Sequence, residues 1–144
     1  MSQGNLGKKI YKSVYSISLE GKNDGNGHLN HSWYDNNSES VRQKFLRRFD
    51  WIDSNFPVPG VMMFMKEAHQ DFRRSSYSGD KMEVRLEIFS AGRIIYNMVY
   101  NFIDPESGEV VCIDTTKCCF VDKDERPIRV PDFFLDALRS VEKD

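Results

Sequence analysis

The chain has 144 residues and is 40% hydrophobic, enough apolar content for one core and too little length for two ordinary domains, so residues 1–144 are expected to form one domain. Lys plus Arg number 20 against 22 Asp plus Glu, a net charge of -2 that supplies no positive field for a nucleic-acid partner. No window approaches the roughly 18 to 20 apolar residues of a membrane helix, and Met1 to Lys12 is too polar for a signal core, so a soluble, unexported protein with no membrane partner is expected.

From Ile10 to Leu19, Tyr11, Tyr15, Ile17 and Leu19 alternate with Lys12, Ser16 and Ser18, the period of a half-buried strand. Glu20 to Asn30 follows with Gly21, Gly25 and Gly27 among Asn and Asp residues, which predicts an elaborate loop. Between Ser32 and Asp50, Trp33, Tyr34, Val41, Phe45 and Phe49 include a run at i, i+4 and i+8. Asp35 and Glu39 lie early in this segment and Lys44, Arg47 and Arg48 late, so an amphipathic helix with charges matched to its dipole is expected. Asn30 or Ser32 is the expected N-cap, and Ser32 with Asp35 has the spacing of a capping box.

Pro57, Pro59 and Gly60 break the chain, after which Val61 to Val121 reads as strands separated by the turns Ser78-Gly79-Asp80, Ala91-Gly92-Arg93 and Asp104 to Gly108. Met82, Val84, Leu86 and Ile88 alternate cleanly with Glu83, Arg85 and Glu87. Tyr96, Met98, Tyr100 and Phe102 continue the pattern, as does Val110 to Val121, and the short turns imply an antiparallel meander. Met62, Met63, Phe64 and Met65 read as core strand, with the wall of an apolar pocket as the alternative. Asp122 to Arg129 is a charged turn, and Pro131 to Val141 carries Phe133, Phe134, Leu135 and Leu138 in a short terminal helix. The economical arrangement is α+β, one antiparallel sheet of about five strands against one long helix, with a sheet face and edges left over that favour self-association.

Cys112, Cys118 and Cys119 form an odd set with no Cys-x-x-Cys pair and no His at zinc spacing, so neither a disulfide framework nor a metal site is expected. Adjacent Cys118 and Cys119 in a strand point to opposite faces, and a reducing cytoplasm fits.

The densest chemistry lies in Asp24-Gly25-Asn26-Gly27-His28-Leu29-Asn30-His31, a carboxylate, two imidazoles and glycines at a helix start. A helix N-terminus supplies unpaired N–H donors that can stabilise an oxyanion, while a nearby Asp can attack or activate water; acyl transfer is the reaction these parts serve. A turn with polar caps is the plainer alternative.

Asp24-x-x-Gly27-His28-x-Asn30, followed by Tyr34, Glu39 and Arg42 on the helix, resembles the small hotdog-fold acyl-CoA thioesterases, nearest the 4-hydroxybenzoyl-CoA thioesterase-like branch. The likeness in element order extends over about Ile10 to Pro131. It implies a sheet wrapped around a central helix, with Asp24 as the catalytic carboxylate. His31 would assist, its backbone N–H polarising the thioester carbonyl, while Gly27, His28, Asn30 and Tyr34 would contact the substrate. Arg93, at a strand-turn edge, would hold the phosphates; Arg73, Arg74, Lys81 and Arg85 are the other cations of the strand region. The substrate implied is an acyl-CoA or acyl-carrier-protein ester, with CoA a product and no cofactor required. The site would lie between the subunits of a homodimer, which can pair again into a homotetramer. Lys22 stands where many members carry a first Asp.

Asn55-Phe56-Pro57-Val58-Pro59-Gly60-Val61-Met62 resembles a shortened form of the segment preceding the central helix in hotdog dehydratases, but with Asn55 in place of their catalytic His; it reads as a loop entering a strand. A non-catalytic hotdog protein that binds an acyl or CoA ligand, and a related hydratase, are the competing readings.

Overall fold

The computed structural model describes residues 6–18, 31–51, 56–73 and 81–142. The chain runs β1 (Lys8–Ser18), α1 (His31–Arg48), β2 (Met62–Phe72), β3 (Lys81–Ser90), β4 (Tyr96–Ile103), β5 (Val110–Val121), β6 (Pro127–Ile128) and α2 (Asp132–Glu142). The strands form one antiparallel sheet in the order β1-β3-β4-β5-β2, with β6 pairing β5. Both helices contribute to the same core.

The expected meander holds only for β3, β4 and β5. β2 does not form a hairpin with β3; it crosses to the far edge and pairs β5 from Met62↔Val121 to Phe72↔Cys112. The reason is occupancy: β1 takes one edge of β3 and β4 the other, so the edge that a β2–β3 hairpin would need is filled, and β2 pairs the outer edge of β5 instead. The charged segment after β5 also folds further than expected. Asp122 Oδ1 accepts the backbone N–H groups of Asp124 (2.9 Å) and Arg126 (3.0 Å), closing a turn that brings Pro127 and Ile128 back onto β5.

α1 starts at His31, so Ser32 lies inside the first turn rather than ahead of it, and the Asp35 carboxylate accepts from Gln70 on β2. The helix stops two residues before Asp50. The Trp51 N–H bonds the Leu46 carbonyl at 2.9 Å and the Asp50 N–H bonds that of Arg47 at 3.1 Å, with Asp50 at φ 60°. This is the Schellman end of a helix, and the burial of Trp51 and Leu46 supplies its usual apolar contact. Gly7, at φ 102°, has a comparable backbone duty: a Cβ there would stand 2.0 Å from the Ser90 carbonyl oxygen.

Val41, Phe45 and Leu46 on α1 press onto Tyr11 of β1, Met82 to Ile88 of β3 and the alternate residues Tyr96, Met98, Tyr100 and Phe102 of β4. α2 closes the other end, its Phe134 ring 5.1 Å from both Phe120 and Tyr96. β4 lies at the centre of the row and buries every residue except Asn101, whereas β2 at the edge buries none.

Candidate functional site

A cavity of about 340 Å³ separates α1 from the sheet at the β2 side. Asp35, Ser38, Glu39 and Arg42 supply its helix wall, a spacing of three and four residues that keeps them on one face. Met63, Phe64, Met65 and Ala68 supply the β2 wall, and Tyr96, Met98, Tyr100, Asp114, Thr116 and Cys118 the floor. The pairs Ala68↔Thr116 and Met65↔Cys118 place β2 and β5 residues side by side. The Asp35–Gln70 hydrogen bond ties helix to edge strand. The cavity begins one turn beyond the α1 N-terminus, where the first N–H groups of any helix lack intrahelical acceptors.

Its floor is polar for so buried a place. Ser38 Oγ donates to Asp114 Oδ2 at 2.6 Å, and both residues are buried. So short a bond offsets part of the cost of removing the two groups from water. Thr116 Oγ1 donates to the Met98 carbonyl at 3.3 Å. The Tyr100 hydroxyl has only the Met98 sulfur as acceptor, at 3.8 Å. The Tyr96 hydroxyl, fully buried, has no oxygen or nitrogen partner among the described residues and turns to the Cys118 thiol, a weak acceptor. Burial, reinforced by neighbouring Cys118, holds both phenols protonated well above their ordinary range.

At the rim Arg42 donates to Glu39 through Nε (3.1 Å) and Nη2 (2.8 Å), and Gln43 donates to the same carboxylate at 3.0 Å. Burial alone would raise the Glu39 pKa, but the bonds from Arg42 and Gln43 outweigh it and hold the group ionised below its usual value. Glu39 is thus a committed anion that orients Arg42 rather than a base waiting for a proton. Burial pushes the Cys118 thiol up to about 11, so it is a neutral, inert part of the floor. Among the described residues no three His, Cys, Asp or Glu side chains converge as metal ligands.

Asp24, Gly27, His28 and Asn30 lie outside the described residues, as do Lys22, Asn55 and Arg74. His31 opens α1. Tyr34 is buried in an aromatic cluster, its ring 5.0 Å from Phe102 and 5.6 Å from Phe72, one turn ahead of Ser38. Arg93 is exposed in the turn between β3 and β4, where its carbonyl accepts the Val130 N–H at 2.8 Å. The Tyr34 end of α1 packs at Phe102, six residues along β4 from Tyr96 and so about 20 Å away. Within one chain, then, Arg93 and the helix start do not meet. Arg73 and Arg85 are engaged by Asp71 (2.8 Å) and Glu83 (3.1 Å).

Met63, Phe64 and Met65 belong to the pocket wall; Met63 also packs against the core as expected, but for Met62, Phe64 and Met65, 43%, 47% and 50% exposed, the expectation of core is corrected. Sequence reasoning passed over Ser38, Tyr96, Tyr100, Asp114 and Thr116. The available signal was Asp114 itself, a carboxylate amid Val110-Val111-Cys112-Ile113, where a buried strand requires a stated partner.

Comparison with known proteins agrees with this architecture. The family profile described as the thioesterase-like superfamily matches residues 21–138. Among solved structures, the 1,4-dihydroxy-2-naphthoyl-CoA thioesterase of Synechocystis is similar over 91% of this chain and 98% of its own, with a TM-score of 0.73 at 16% identity. A hypothetical protein of Thermus thermophilus aligns over 90% and 98% at 25% identity, with a TM-score of 0.69. The 1,4-dihydroxy-2-naphthoyl-CoA (DHNA-CoA) thioesterase of Staphylococcus aureus aligns over 92% and 90%, with a TM-score of 0.64 at 18% identity. No curated protein matches the sequence. With the family profile spanning most of the chain and the sheet wrapped about α1 as in these structures, the chain belongs to the thioesterase-like superfamily and is a hotdog-fold thioester hydrolase.

Proposed function

We propose that the chain hydrolyses an acyl-CoA thioester to the free acid and CoA. The observation that carries this reading is the cavity one turn from the start of α1, a compartment for an acyl group beside a source of oxyanion donors. In the proposed reaction Asp24 takes a proton from water as its oxygen bonds the carbonyl carbon. The His31 backbone N–H stabilises the oxyanion, and collapse breaks the C–S bond, the sulfur leaving with a proton as the thiol. Asp24 attacking the carbonyl itself, with water cleaving the resulting anhydride, is the covalent variant of the same role. Gly27, His28, Asn30 and Tyr34 shape the substrate-binding loop and helix start, and Arg93 holds phosphates. The Synechocystis and Staphylococcus proteins act on CoA esters, which supports a CoA ester over other thioesters here.

The active form is a homodimer, able to pair into a tetramer. β2 supports this: among the described residues it is an edge strand paired on one side, and Met62, Phe64, Met65 and Phe72 expose apolar surface along it. An edge of that kind is a template for another strand unless covered. A cytoplasmic location accords with three buried, unpaired cysteines.

The test is chromatographic detection of free CoA after incubation with short, long and aromatic acyl-CoAs, alongside Asp24→Asn. Loss of about 10²- to 10⁴-fold in kcat is expected for Asp24→Asn. Full activity in that variant would remove Asp24 from the reaction. No release from any CoA ester, but release from acyl carrier protein, would move the substrate to the carrier.

A further inference from the structure

Two hydrogen bonds fasten the first half of α1 to the sheet, and both land on one rung. The Asp35 carboxylate accepts from Gln70 of β2, and Ser38 Oγ donates to Asp114 Oδ2 of β5 at 2.6 Å. Gln70 and Asp114 are direct partners in the β2–β5 ladder, so their side chains rise from the same face of the sheet. Directly opposed side chains start about 4.5–5.5 Å apart on a sheet, and residues three apart on a helix about 5–6 Å apart. Asp35 and Ser38 therefore match the rung in spacing, which makes a two-point attachment. One bond leaves a helix free to pivot. Two at matched spacing fix both its rotation and its height along the sheet, because each bond type spans a range of only about 0.5 Å.

The apolar contacts around the helix start are less exacting. Trp33 and Tyr34 pack on Phe102 with ring centroids 5.9 and 5.0 Å away, and Tyr34 meets Phe72 at 5.6 Å. Aromatic pairs accept separations from about 4.5 to 7 Å, so these rings hold α1 against the sheet without setting its register. Ser38 and Asp114 are both buried, where an apolar pair of the same shape would avoid the cost of leaving water. What the polar pair adds is direction.

We infer that Gln70 and Asp114 are positioning residues for the hydrolysis: through Asp35 and Ser38 they set where the first turn of α1, with the His31 N–H, stands against the thioester carbonyl. The inference rests on the proposed role of that N–H and extends it to side chains remote from the reacting atoms. Asp35 follows His31 by one turn, about 6 Å along the axis, so a displacement at the clamp passes directly to the helix start. Asp35, Ser38 and Asp114 also line the cavity and so bear on binding as well as on geometry, whereas Gln70 is not among the lining residues. Gln70 therefore isolates the positioning effect.

The experiment pairs kinetics with a spectroscopic readout, both on benzoyl-CoA. Gln70→Ala is expected to lower kcat by about ten- to a hundredfold, the scale of a misplacement of about 1 Å, with KM within about twofold of the parent. Asp35→Asn, which keeps the accepting oxygen, is expected to stay within about threefold of the parent kcat, as rescue by geometry requires. Ser38→Ala is the second variant should Gln70→Ala fold poorly. In the Asp24→Asn background, infrared difference spectra of benzoyl-CoA labelled with ¹³C at the carbonyl report the donor directly. The carbonyl band is expected below its frequency in water, and Gln70→Ala or Ser38→Ala is expected to return part of that shift. A lowered band that neither variant moves, or a loss that falls on KM alone, would overturn the positioning role while leaving the His31 N–H in place. A band at its solution frequency in Asp24→Asn itself would overturn the role of that N–H, and this inference with it.

Discussion

β2 and β4 are both rich in large apolar residues, yet the structure treats them in opposite ways. β2 opens with Met62-Met63-Phe64-Met65 and buries nothing, while β4 alternates Tyr96, Met98, Tyr100 and Phe102 and buries nearly everything. The difference is position in the row: β4 has a strand on each side and α1 above it, and β2 has one neighbouring strand among the described residues. Each strand therefore holds something out of place, apolar surface exposed on one and unsatisfied hydroxyls buried on the other. Residues of both strands line the same cavity. Where a fold departs from its own burial rules in two places that meet, a ligand and a second subunit are the economical reasons.

The comparison breaks most visibly under matched truncation. Phe102→Ala removes a fully buried ring that packs on Trp33 and Tyr34, and about 3–5 kcal/mol of stability is expected to go with it in urea unfolding. Phe64→Ala, on the exposed edge, is expected to cost the chain's own fold no more than about 0.5 kcal/mol while weakening self-association in sedimentation equilibrium. Similar unfolding losses for the two, with association unchanged, would erase the distinction between the strands.

A smaller effect lies at the helix wall. Ser38→Ala removes a donor to Asp114 Oδ2, a hydrogen bond between two buried groups, and about 1–3 kcal/mol is expected to be lost. A loss below about 0.5 kcal/mol would mean the carboxylate is held by other groups.

The smallest effect concerns the thiols. Burial holds Cys118 at about 11 and Cys112 at about 12 against an ordinary 9.0, so at neutral pH Cys118 carries about a hundredfold less thiolate than a free thiol and should alkylate correspondingly slowly until the protein is unfolded. The stability term has a definite sign. Raised folded values mean that the contribution is full below pH 9, and falls as pH rises through about 9 to 12, because the unfolded chain loses these protons first. Urea midpoints at pH 8 and pH 10 check it; a midpoint that rises with pH would contradict it.

Much of the architecture was legible in the residues themselves. The period of two from Met82 to Ile88, the apolar run of α1 and the terminal helix after Pro131 each correspond to an observed element, because local periodicity reports which face is buried. The position of β2 was not legible. Met62 to Met65 has the composition of a core strand, and only the sheet order, a non-local property, puts it at an edge. The Asp50 helix end was missed for a related reason: an Asp in the left-handed region stands where glycine is the usual signal. At the site, loop chemistry around Asp24 to His31 was conspicuous and the floor was not. Tyr96 and Tyr100 read as ordinary alternating strand residues, and nothing in their spacing tells that they line a cavity.

The most direct test of the central claim is a crystal structure of Asp24→Asn with an intact acyl-CoA ester. The account predicts the acyl group in the cavity between α1 and β2, its carbonyl at the start of α1 and its far end against Tyr96 and Tyr100. An acyl group bound elsewhere, with this cavity still empty, would contradict it.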